Sequence, residues 1–453
     1  MRTASPYRWI SATFALLIAC GTLLLMLPIA RTGAAPWADG THVPVGGIAL
    51  PGGAPLSVAL FTATSASCVT GLSVVDTPTY WSSFGHVVIL CLAEIGGIGT
   101  MTVAALLARM VRHRLSLRTR NDAAVAASSG LGDLNAVLTA TVSIAVGVQA
   151  GVAAILTTDF VLFHDYSFGK AVWYGVFHAG SAYNNAGFAL YTDSLVGLNR
   201  DPLAILTIAA AIIIGGIGFP VLMELGRGAT RTLHTRVVLH TTALLLVAGT
   251  AFIALCEWSN RSTLGPMSIP LKIVNAFFSA VTPRTAGFNS LDIAAQHPST
   301  WFGTDILMFV GAAPASTGGG LKVTTLAVVV AVTWSQVRGM DKIHMGRWRL
   351  AEAIHGQVVT LLGLALSLIV ATTMLLMAVT PYRLDQCLFE TISAFATVGL
   401  TTGITPSLPL LAQLTLVALM LVGRVGPFTL AAALTMRREA LLYDRPVGTV
   451  LIG

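Results

Sequence analysis

The apolar segments of this chain come in two lengths that alternate in a fixed order. Four short segments, 56–69, 170–183, 268–281 and 384–396, are too short to cross a hydrocarbon core of about 30 Å. The longer ones can cross it, and there are eight: 8–30, 85–108, 134–157, 203–224, 237–257, 302–336, 356–380 and 408–436. The order long, short, long therefore occurs four times. Non-helical backbone at membrane depth needs shelter from protein or a water-filled cavity, so the pattern predicts four re-entrant loops that converge on one pore.

The composition agrees with a membrane protein. Only 10% of the 453 residues are charged and the mean hydropathy is +0.79, which excludes an ordinary soluble surface. The first apolar run is too long for a signal peptide and is predicted to be the first membrane helix. The five cysteines are widely spaced, which argues against a disulfide framework or a cysteine metal site.

The basic residues predict the orientation. Of the 26 Lys and Arg residues, 17 lie in the two terminal regions and in the links that follow every second long segment, 109–120, 227–236 and 338–349. By the positive-inside rule, both termini and these links are cytoplasmic. The net charge of +7 is therefore a topology signal. Because these charges are scattered among membrane spans, we expect no nucleic-acid partner.

The loops on the opposite side carry most of the acidic residues. An ordinary solvated surface explains most of them, but Asp76, Asp193 and Asp292 follow three repeated glycines at distances of five, six and five residues. Carboxylates at matching depth around a pore mouth concentrate cations there. These three aspartates are the predicted outer mouth.

The ends of the four short segments form an internal repeat. They read SASCVTGL (65–72), SAYNNAGF (181–188), VTPRTAGF (281–288) and SAFATVGL (393–400). Each places a glycine before a bulky apolar residue. Glycine permits the backbone angles that turn carbonyl oxygens toward an ion and leaves room for it. We predict a filter for a monovalent cation, with no charged ligand, made of Val69, Thr70, Gly71, Asn185, Ala186, Gly187, Thr285, Ala286, Gly287, Thr397, Val398 and Gly399.

The second long segment of three units also repeats, as EIGGIGT (94–100), IIGGIGF (213–219) and LVGRVGP (421–427). Close helix packing explains most of these glycines but not Arg424. The third unit differs, because its GAAPASTGGGLK (311–322) is too rich in glycine to continue a helix. The sequence predicts a break there, in mid-membrane, where the broken helix lines a cavity.

Together these motifs resemble the Trk/Ktr/HKT superfamily of potassium transporters over nearly the whole chain. The resemblance implies an all-α integral membrane protein with four tandem M1–pore loop–M2 units, eight transmembrane helices and four re-entrant pore helices around a pseudo-fourfold central pore. The implied units are 1–121, 122–236, 237–350 with a broken M2, and 351–453 with a cytoplasmic tail. Glycine in all four filter segments implies preference for potassium, since serine in the first goes with sodium transport.

The resemblance also implies an intramembrane gate beneath the filter. It maps onto Gly311, Ala312, Ala313, Pro314, Ala315, Ser316, Thr317, Gly318, Gly319, Gly320, Lys322 and Arg424. The plain alternative for Lys322 and Arg424 is that their side chains extend to the cytoplasmic surface. The leading Ser-Ala is missing from the third pore loop, and the exact shape of residues 312–314 is left open.

A single helix before the first pore loop makes the chain similar to the Ktr-type membrane subunit. That subtype implies a homodimer in the bacterial cytoplasmic membrane, on a cytosolic RCK-type ring that binds ATP or ADP. The chain itself lacks a nucleotide motif, so we expect no cofactor in it, only potassium, or sodium, in the filter. The links 109–120 and 338–349 are the candidate docking surfaces.

Other functions remain to be weighed. A Trk-type proton-coupled or sodium-permeable transporter is the first alternative. A secondary transporter of another solute is the second, although its inverted repeats would place successive short segments on opposite sides. An enzyme is not expected, because the ten histidines do not pair with Cys or carboxylates at ligand spacing. Glu94 and Glu224 are predicted to lie within the membrane, where a carboxylate has either a functional role or a structural ion-pair partner. Arg284 is expected to brace the third loop through hydrogen bonds to carbonyl oxygens.

Overall fold

Every apolar segment of the sequence contains a helix in the computed structural model, which describes residues 6–33, 49–113, 134–228, 231–340, 342–350 and 353–436. The helices are α1 (Pro6–Leu25), α2 (Leu56–Ser67), α3 (Thr77–Tyr80), α4 (Ser83–His113), α5 (Leu134–Phe163), α6 (Phe168–Tyr183), α7 (Pro202–Ile217), α8 (Phe219–Gly226), α9 (Leu233–Glu257), α10 (Ile269–Val281), α11 (Pro298–Phe309), α12 (Val323–Val337), α13 (Ala353–Val379), α14 (Leu384–Ala396) and α15 (Leu410–Met436). The strands β1 (His344–Met345) and β2 (Trp348–Arg349) form a small antiparallel hairpin.

The protein is a multi-pass membrane protein. In the described ranges, four helices are long and apolar enough to cross a bilayer: Ser83–Thr102, Leu138–Phe163, Leu233–Glu257 and Gly356–Val379. The bent pair α7 and α8 is a fifth if its two helices form one span. Large apolar side chains point outward, such as Leu244, Val247 and Leu255 on α9, which are 67%, 70% and 82% exposed. Such a surface suits lipid rather than water. The count of eight spans stays a prediction, because only shorter apolar stretches are found in the other three long helices: Ser11–Leu25 in α1, Val323–Val337 in α12 and Leu410–Gly426 in α15.

The fourth long segment differs from its prediction as one spanning helix. It bends by 100° between α7 and α8, at Gly218, where φ is +92°. The backbone N–H of Phe219 donates to the carbonyl oxygen of Ala315, 3.1 Å away, rather than to its own helix. A side chain on Gly218 would also crowd the carbonyl of Pro314. The bend therefore accommodates the broken segment of the third unit.

That predicted break is present. Helix α11 ends at Phe309 and α12 begins at Val323. Between them the chain loops back on itself, because Val310 and Leu321 form an isolated parallel bridge. We call residues 311–322 the inner loop.

The short helices lie inside the molecule, against the long helices of their own segment of chain. Helix α2 packs on α1 and α4, α6 on α5 and α7, and α14 on α13 and α15. Helix α15 also contacts α2, which brings the last part of the chain against the first. Nearly every residue of α2 from Ser57 to Ser67 is buried. A re-entrant segment at membrane depth would need burial of this kind.

Candidate functional site

The four loops that follow the short helices share one backbone pattern. The repeated glycines all have positive φ, +93° at Gly71, +71° at Gly187, +76° at Gly287 and +96° at Gly399. The residue two positions earlier also has positive φ in every loop: Val69, Asn185, Thr285 and Thr397, at +56°, +59°, +74° and +53°. Each such non-glycine residue costs about 1–3 kcal/mol, so the surrounding structure must hold it. Because this costly pattern occurs four times, these loops are the candidate functional site.

The four glycines close into a ring in the order of the chain. A Cβ atom built on Gly71 or on Gly187 would lie 3.0 Å from the Cα of the next glycine. One built on Gly287 would lie 3.3 Å from Gly399 Cα, and one on Gly399 would lie 3.1 Å from Gly71 Cα. Each would also meet the carbonyl oxygen that precedes the next glycine: Ala186, Ala286, Val398 and Thr70 in turn. The ring has no room for a side chain at any of the four positions.

Hydroxyl groups of the short helices hold the ring loops. The backbone N–H of Gly71 donates to Ser65 Oγ at 3.0 Å, and that of Gly399 donates to Ser393 Oγ at 3.1 Å. In the second loop Ser181 Oγ instead donates to the carbonyl of Phe188, 2.7 Å away. The third loop lacks this serine and uses Thr282, which donates to the carbonyl of Phe288. The repeated Ser-Ala of the sequence thus supplies the support of three loops.

Glycines of the neighbouring long helices let those helices pack directly on the short ones. A methyl group on Gly96, Gly215 or Gly423 would overlap a backbone carbonyl oxygen at the end of a short helix. Those carbonyls belong to Ser67, Tyr183 and Phe395, each four residues before a ring glycine. The interpretation of these glycines as packing positions is confirmed.

A cavity of about 570 Å³ opens on one side of the ring. Its lining includes all four ring glycines and the three predicted mouth aspartates, Asp76, Asp193 and Asp292. Asp193 and Asp292 are exposed. Asp76 is buried, and its carboxylate accepts hydrogen bonds from Thr79 and from Thr192, the latter at 3.0 Å. Two of the three carboxylates therefore face the water of the cavity, and the third ties two loops together.

Tyr191 also lines this cavity. Its ring stacks on His178, with centroids 5.2 Å apart. Burial first, and then the neighbouring hydroxyl of Tyr166, raise the pKa of Tyr191 above its ordinary value. The phenol thus stays neutral and adds no charge to the cavity.

The inner loop packs against two of the predicted filter residues, which do not line the cavity. A methyl group on Gly318 would overlap Thr285 Oγ1, and one on Gly319 would overlap Thr397 Oγ1. The loop is tied to α7 by Ala313 N–H, which donates to the carbonyl of Gly216 at 3.0 Å. Thr317 Oγ1 donates to the carbonyl of Tyr183 at 3.2 Å. The inner loop therefore contacts three of the four short segments that end in a ring glycine, through Tyr183, Thr285 and Thr397.

Two cations hold the inner loop. Arg424 is only 1% exposed; its guanidinium donates to the carbonyl of Thr317, to the carbonyl of Gly96 at 3.1 Å and to Thr100 Oγ1 at 3.1 Å. Lys322 Nζ donates to the carbonyls of Gly318 and Gly319, at 2.7 and 3.1 Å. Both side chains turn toward the loop, so the alternative in which they extend to the membrane surface is wrong.

The two carboxylates predicted to lie within the membrane have hydrogen-bond partners in the protein. Glu94 on α4 accepts a hydrogen bond from Gln149 Nε2 of α5 at 3.1 Å. Glu224 accepts from the hydroxyls of Thr232 and Thr235, at the start of α9. Arg284 was expected to bind carbonyl oxygens, but its Nη2 donates to the hydroxyl of Thr242 at 3.3 Å. It still links the third loop to α9.

Sequence reasoning missed Glu390. This carboxylate on α14 is fully buried and accepts hydrogen bonds from Thr401 Oγ1, from Thr402 N–H at 3.0 Å and from Thr405 Oγ1 at 2.7 Å. It thereby holds the chain that leaves Gly399. The signal in the sequence is an acidic residue in the middle of a short apolar segment, followed by a threonine-rich stretch.

Comparison with known proteins decides the family. The family model for TrkH, a cation transport protein, matches residues 52–441. The chain belongs to the TrkH family. This membership identifies a cation transporter and not an enzyme.

Members with curated names support the same family. A Ktr system potassium uptake protein B from Vibrio alginolyticus is 36% identical over 411 residues, covering 88% of this chain and 89% of that protein. The protein of the same name from Bacillus subtilis is 34% identical, and the alignment covers 99% of this chain and 97% of that protein. The potassium/sodium uptake protein NtpJ of Enterococcus hirae is also 34% identical, with coverage of 99% and 97%.

A solved structure shows the same fold. The potassium transporter TrkH from Vibrio parahaemolyticus superposes on this TrkH-family chain with a TM-score of 0.71, covering 96% of this chain and 86% of that one. The two sequences are 16% identical in this alignment, so the likeness concerns the fold.

Proposed function

We propose that this protein takes up potassium across the bacterial cytoplasmic membrane through the ring of four glycines. The twelve predicted filter residues would supply the ion site, three from each loop. The observation that carries the proposal is the repeated backbone pattern, in which four loops with matching positive φ bring their glycines into contact. Glycine is the residue that permits such a ring.

Potassium is the proposed ion because the ring segments are neutral. A dehydrated monovalent cation is held by backbone carbonyl oxygens, whereas a divalent ion favours carboxylates in the filter. The residues beside the glycines are Val, Thr, Asn and Ala. The names of the relatives from Vibrio alginolyticus and Bacillus subtilis, which are potassium uptake proteins, agree with this proposal.

The inner loop is proposed to be the gate, together with Lys322 and Arg424. It lies against Thr285 and Thr397, beside the filter and away from the cavity. The ammonium of Lys322 and the guanidinium of Arg424 place positive charge on the loop. Positive charge beside the path repels a cation. Ion passage would require the loop to move.

The cavity is proposed to be the outer mouth, where potassium enters. Asp193 and Asp292 supply exposed negative charge there. This orientation places both termini and the basic links in the cytoplasm, in keeping with the positive-inside rule.

The proposed assembly is a homodimer in the lipid bilayer, on a cytosolic RCK-type ring that binds ATP or ADP. The link 338–349 offers a docking surface, because its hairpin pairs His344 with Arg349 and Met345 with Trp348, and Trp348 is 56% exposed. Of the other link, residues 114–120 lie outside the described residues.

Sodium is the second candidate cation. The relative from Enterococcus hirae is named a potassium/sodium uptake protein, which favours either sodium-dependent potassium uptake or sodium permeation. Potassium uptake coupled to protons, as in a Trk-type transporter, is the other alternative to sodium-dependent uptake.

Uptake of labelled rubidium by proteoliposomes tests the function directly. Proteoliposomes that contain this protein alone should take up rubidium. Potassium should inhibit this rubidium uptake more strongly than sodium does. Growth of a strain deficient in potassium uptake, with and without a cytosolic partner and at varied sodium, separates the coupled forms. Uptake that sodium competes as well as potassium would overturn the potassium proposal.

A further inference from the structure

Three potential metal ligands meet at the end of the molecule where the short helix α6 begins. Asp159 lies in the last turns of α5, His164 directly follows α5, and Asp201 directly precedes α7. His164 Nε2 lies 2.9 Å from Asp201 Oδ2 and 3.9 Å from Asp159 Oδ2. One ligand atom from each of the three side chains lies within 4.8 Å of the others.

The carboxylate of Asp159 points to a missing ligand. Its side chain is 1% exposed, and neither carboxylate oxygen has a hydrogen-bond partner. A buried carboxylate without a partner is costly, and a bound cation removes that cost. The other two side chains are 27% and 15% exposed, so an ion can reach the cluster from solvent.

Asp201 is already fixed in place. Its Oδ1 accepts the N–H groups of Leu203 and Ala204 at 3.0 and 3.1 Å, which caps the first turn of α7. Its other oxygen, Oδ2, faces His164. This cap holds one ligand oxygen toward the cluster without help from an ion.

We propose that Asp159, His164 and Asp201 bind a divalent transition-metal cation, with Zn²⁺ as the best match. Zinc takes imidazole nitrogen and carboxylate oxygen, often from three protein ligands with water in the fourth position. Magnesium and calcium prefer oxygen ligands alone, so the histidine argues against them. The spacing of the three groups allows one ion between them.

The site would join the two helices that flank α6. Helix α5 ends at Phe163 and α7 starts at Pro202, and α6 with the Gly187 loop lies between them in the chain. A bound ion would therefore fix the end of α5 to the start of α7, the two helices between which α6 and the Gly187 loop lie in the chain. This proposal does not depend on which cation the filter conducts.

Zinc binding to the purified, metal-stripped protein tests the proposal. Isothermal titration with ZnCl₂ should give one equivalent per chain, and zinc should raise the melting temperature. X-ray absorption should show a shell of nitrogen and oxygen at about 2.0–2.2 Å and no sulfur, which separates this site from the five cysteines. Excess Mg²⁺ should leave the bound zinc in place.

His164→Ala and Asp159→Asn should each weaken zinc binding at least tenfold and abolish the zinc-dependent rise in melting temperature. His297→Ala is the matched control, an exposed histidine that precedes α11, and should bind zinc as the wild type does. Asp159→Asn keeps the shape of the side chain, so its metal-free melting temperature reports whether folding is intact. Absence of zinc binding in folded wild-type protein, or zinc binding as tight in both variants as in the wild type, would overturn the proposal.

Discussion

The guanidinium of Arg424 donates a hydrogen bond to the carbonyl oxygen of Thr317, across the interface between the last long helix and the inner loop. The same guanidinium also donates to Gly96 and Thr100 of α4. One side chain therefore fastens the loop to two parts of the chain that are distant in sequence. If the loop is a gate, this contact stabilises its closed position.

Arg424→Ala should raise basal rubidium flux. Each lost hydrogen bond to a charged group is worth about 1.5–3 kcal/mol, and ~1.4 kcal/mol is a tenfold change in an equilibrium. We expect the rubidium flux of Arg424→Ala in proteoliposomes to exceed that of the wild type by at least about tenfold. The flux of Arg424→Lys should lie between those of the wild type and Arg424→Ala. Size-exclusion profiles control for folding. Folded Arg424→Ala protein with wild-type flux would contradict a restraining role.

Removal of Ala315–Gly318 from the inner loop should also raise flux. The deletion takes away the segment that contacts Tyr183 and Thr285 but keeps Val310 and Leu321, whose bridge closes the loop. Rubidium efflux from loaded proteoliposomes measures the change. A correctly folded deletion variant with unaltered efflux would mean that the loop is no gate.

Gly187→Ser should impair potassium selectivity. The new Cβ would lie 2.9 Å from Ala286 O and 3.0 Å from Gly287 Cα, at a φ of +71° that serine adopts poorly. We expect the preference for potassium over sodium to fall by about tenfold or more, which is ~1.4 kcal/mol. Competition of rubidium uptake by each ion measures it.

Gly169→Ser is the matched control for this change. Gly169 lies near the start of the same short helix, and a Cβ there would meet nothing within 4 Å. The potassium-over-sodium selectivity of the Gly169→Ser variant should match that of the wild type. Unchanged selectivity in serine variants of all four ring glycines would refute the filter assignment.

Asp193→Asn with Asp292→Asn should weaken potassium uptake at low ionic strength. Both carboxylates face the cavity, and their field concentrates cations at its mouth. We expect the half-saturating potassium concentration to rise about twofold in dilute buffer. The difference should vanish near 1 M salt, where the Debye length is ~3 Å. Asp165→Asn, outside the cavity lining, should show no effect, and an effect independent of salt would argue against electrostatic steering.

Glu390→Ala should destabilise the protein and disturb the fourth loop. The substitution leaves the hydroxyls of half-buried Thr401 and buried Thr405 without their carboxylate acceptor, at a cost of about 1–3 kcal/mol. The melting temperature should fall, and potassium selectivity should fall with it. Glu390→Gln keeps one acceptor oxygen and should be milder. Asp385→Ala on the same helix serves as the control, and equal losses in both variants would exclude a special role for Glu390.

Repetition made the ring predictable. The glycine positions could be aligned because four short segments end alike, and each short segment is a helix in the structure. The bend at Gly218 was not predictable in this way. The matching Gly99 lies inside continuous α4, and Gly426 lies inside continuous α15 despite the proline that follows it. Gly218 differs through its contacts with Pro314 and Ala315, which no local pattern reveals.

Long-range polar contacts were likewise invisible in the sequence. Asp201 lies 37 residues beyond His164, and Glu390 binds threonines up to 15 residues away. Neither spacing matches a short motif. Arg424 was noticed only because it replaces a glycine in a repeated pattern, and its partners became known from the structure.

The inner loop occurs once, although the ring it touches has four segments. A tetramer of identical subunits would place four copies of such a loop around one axis, where they would compete for the same space. A ring closed by a single chain escapes this restriction, because each of its quarters is encoded separately. One quarter here carries the loop, another carries the asparagine pair Asn184 and Asn185, and the last carries the arginine that holds the loop. Because one chain encodes all four segments separately, each segment can carry a different feature while the four glycines still meet.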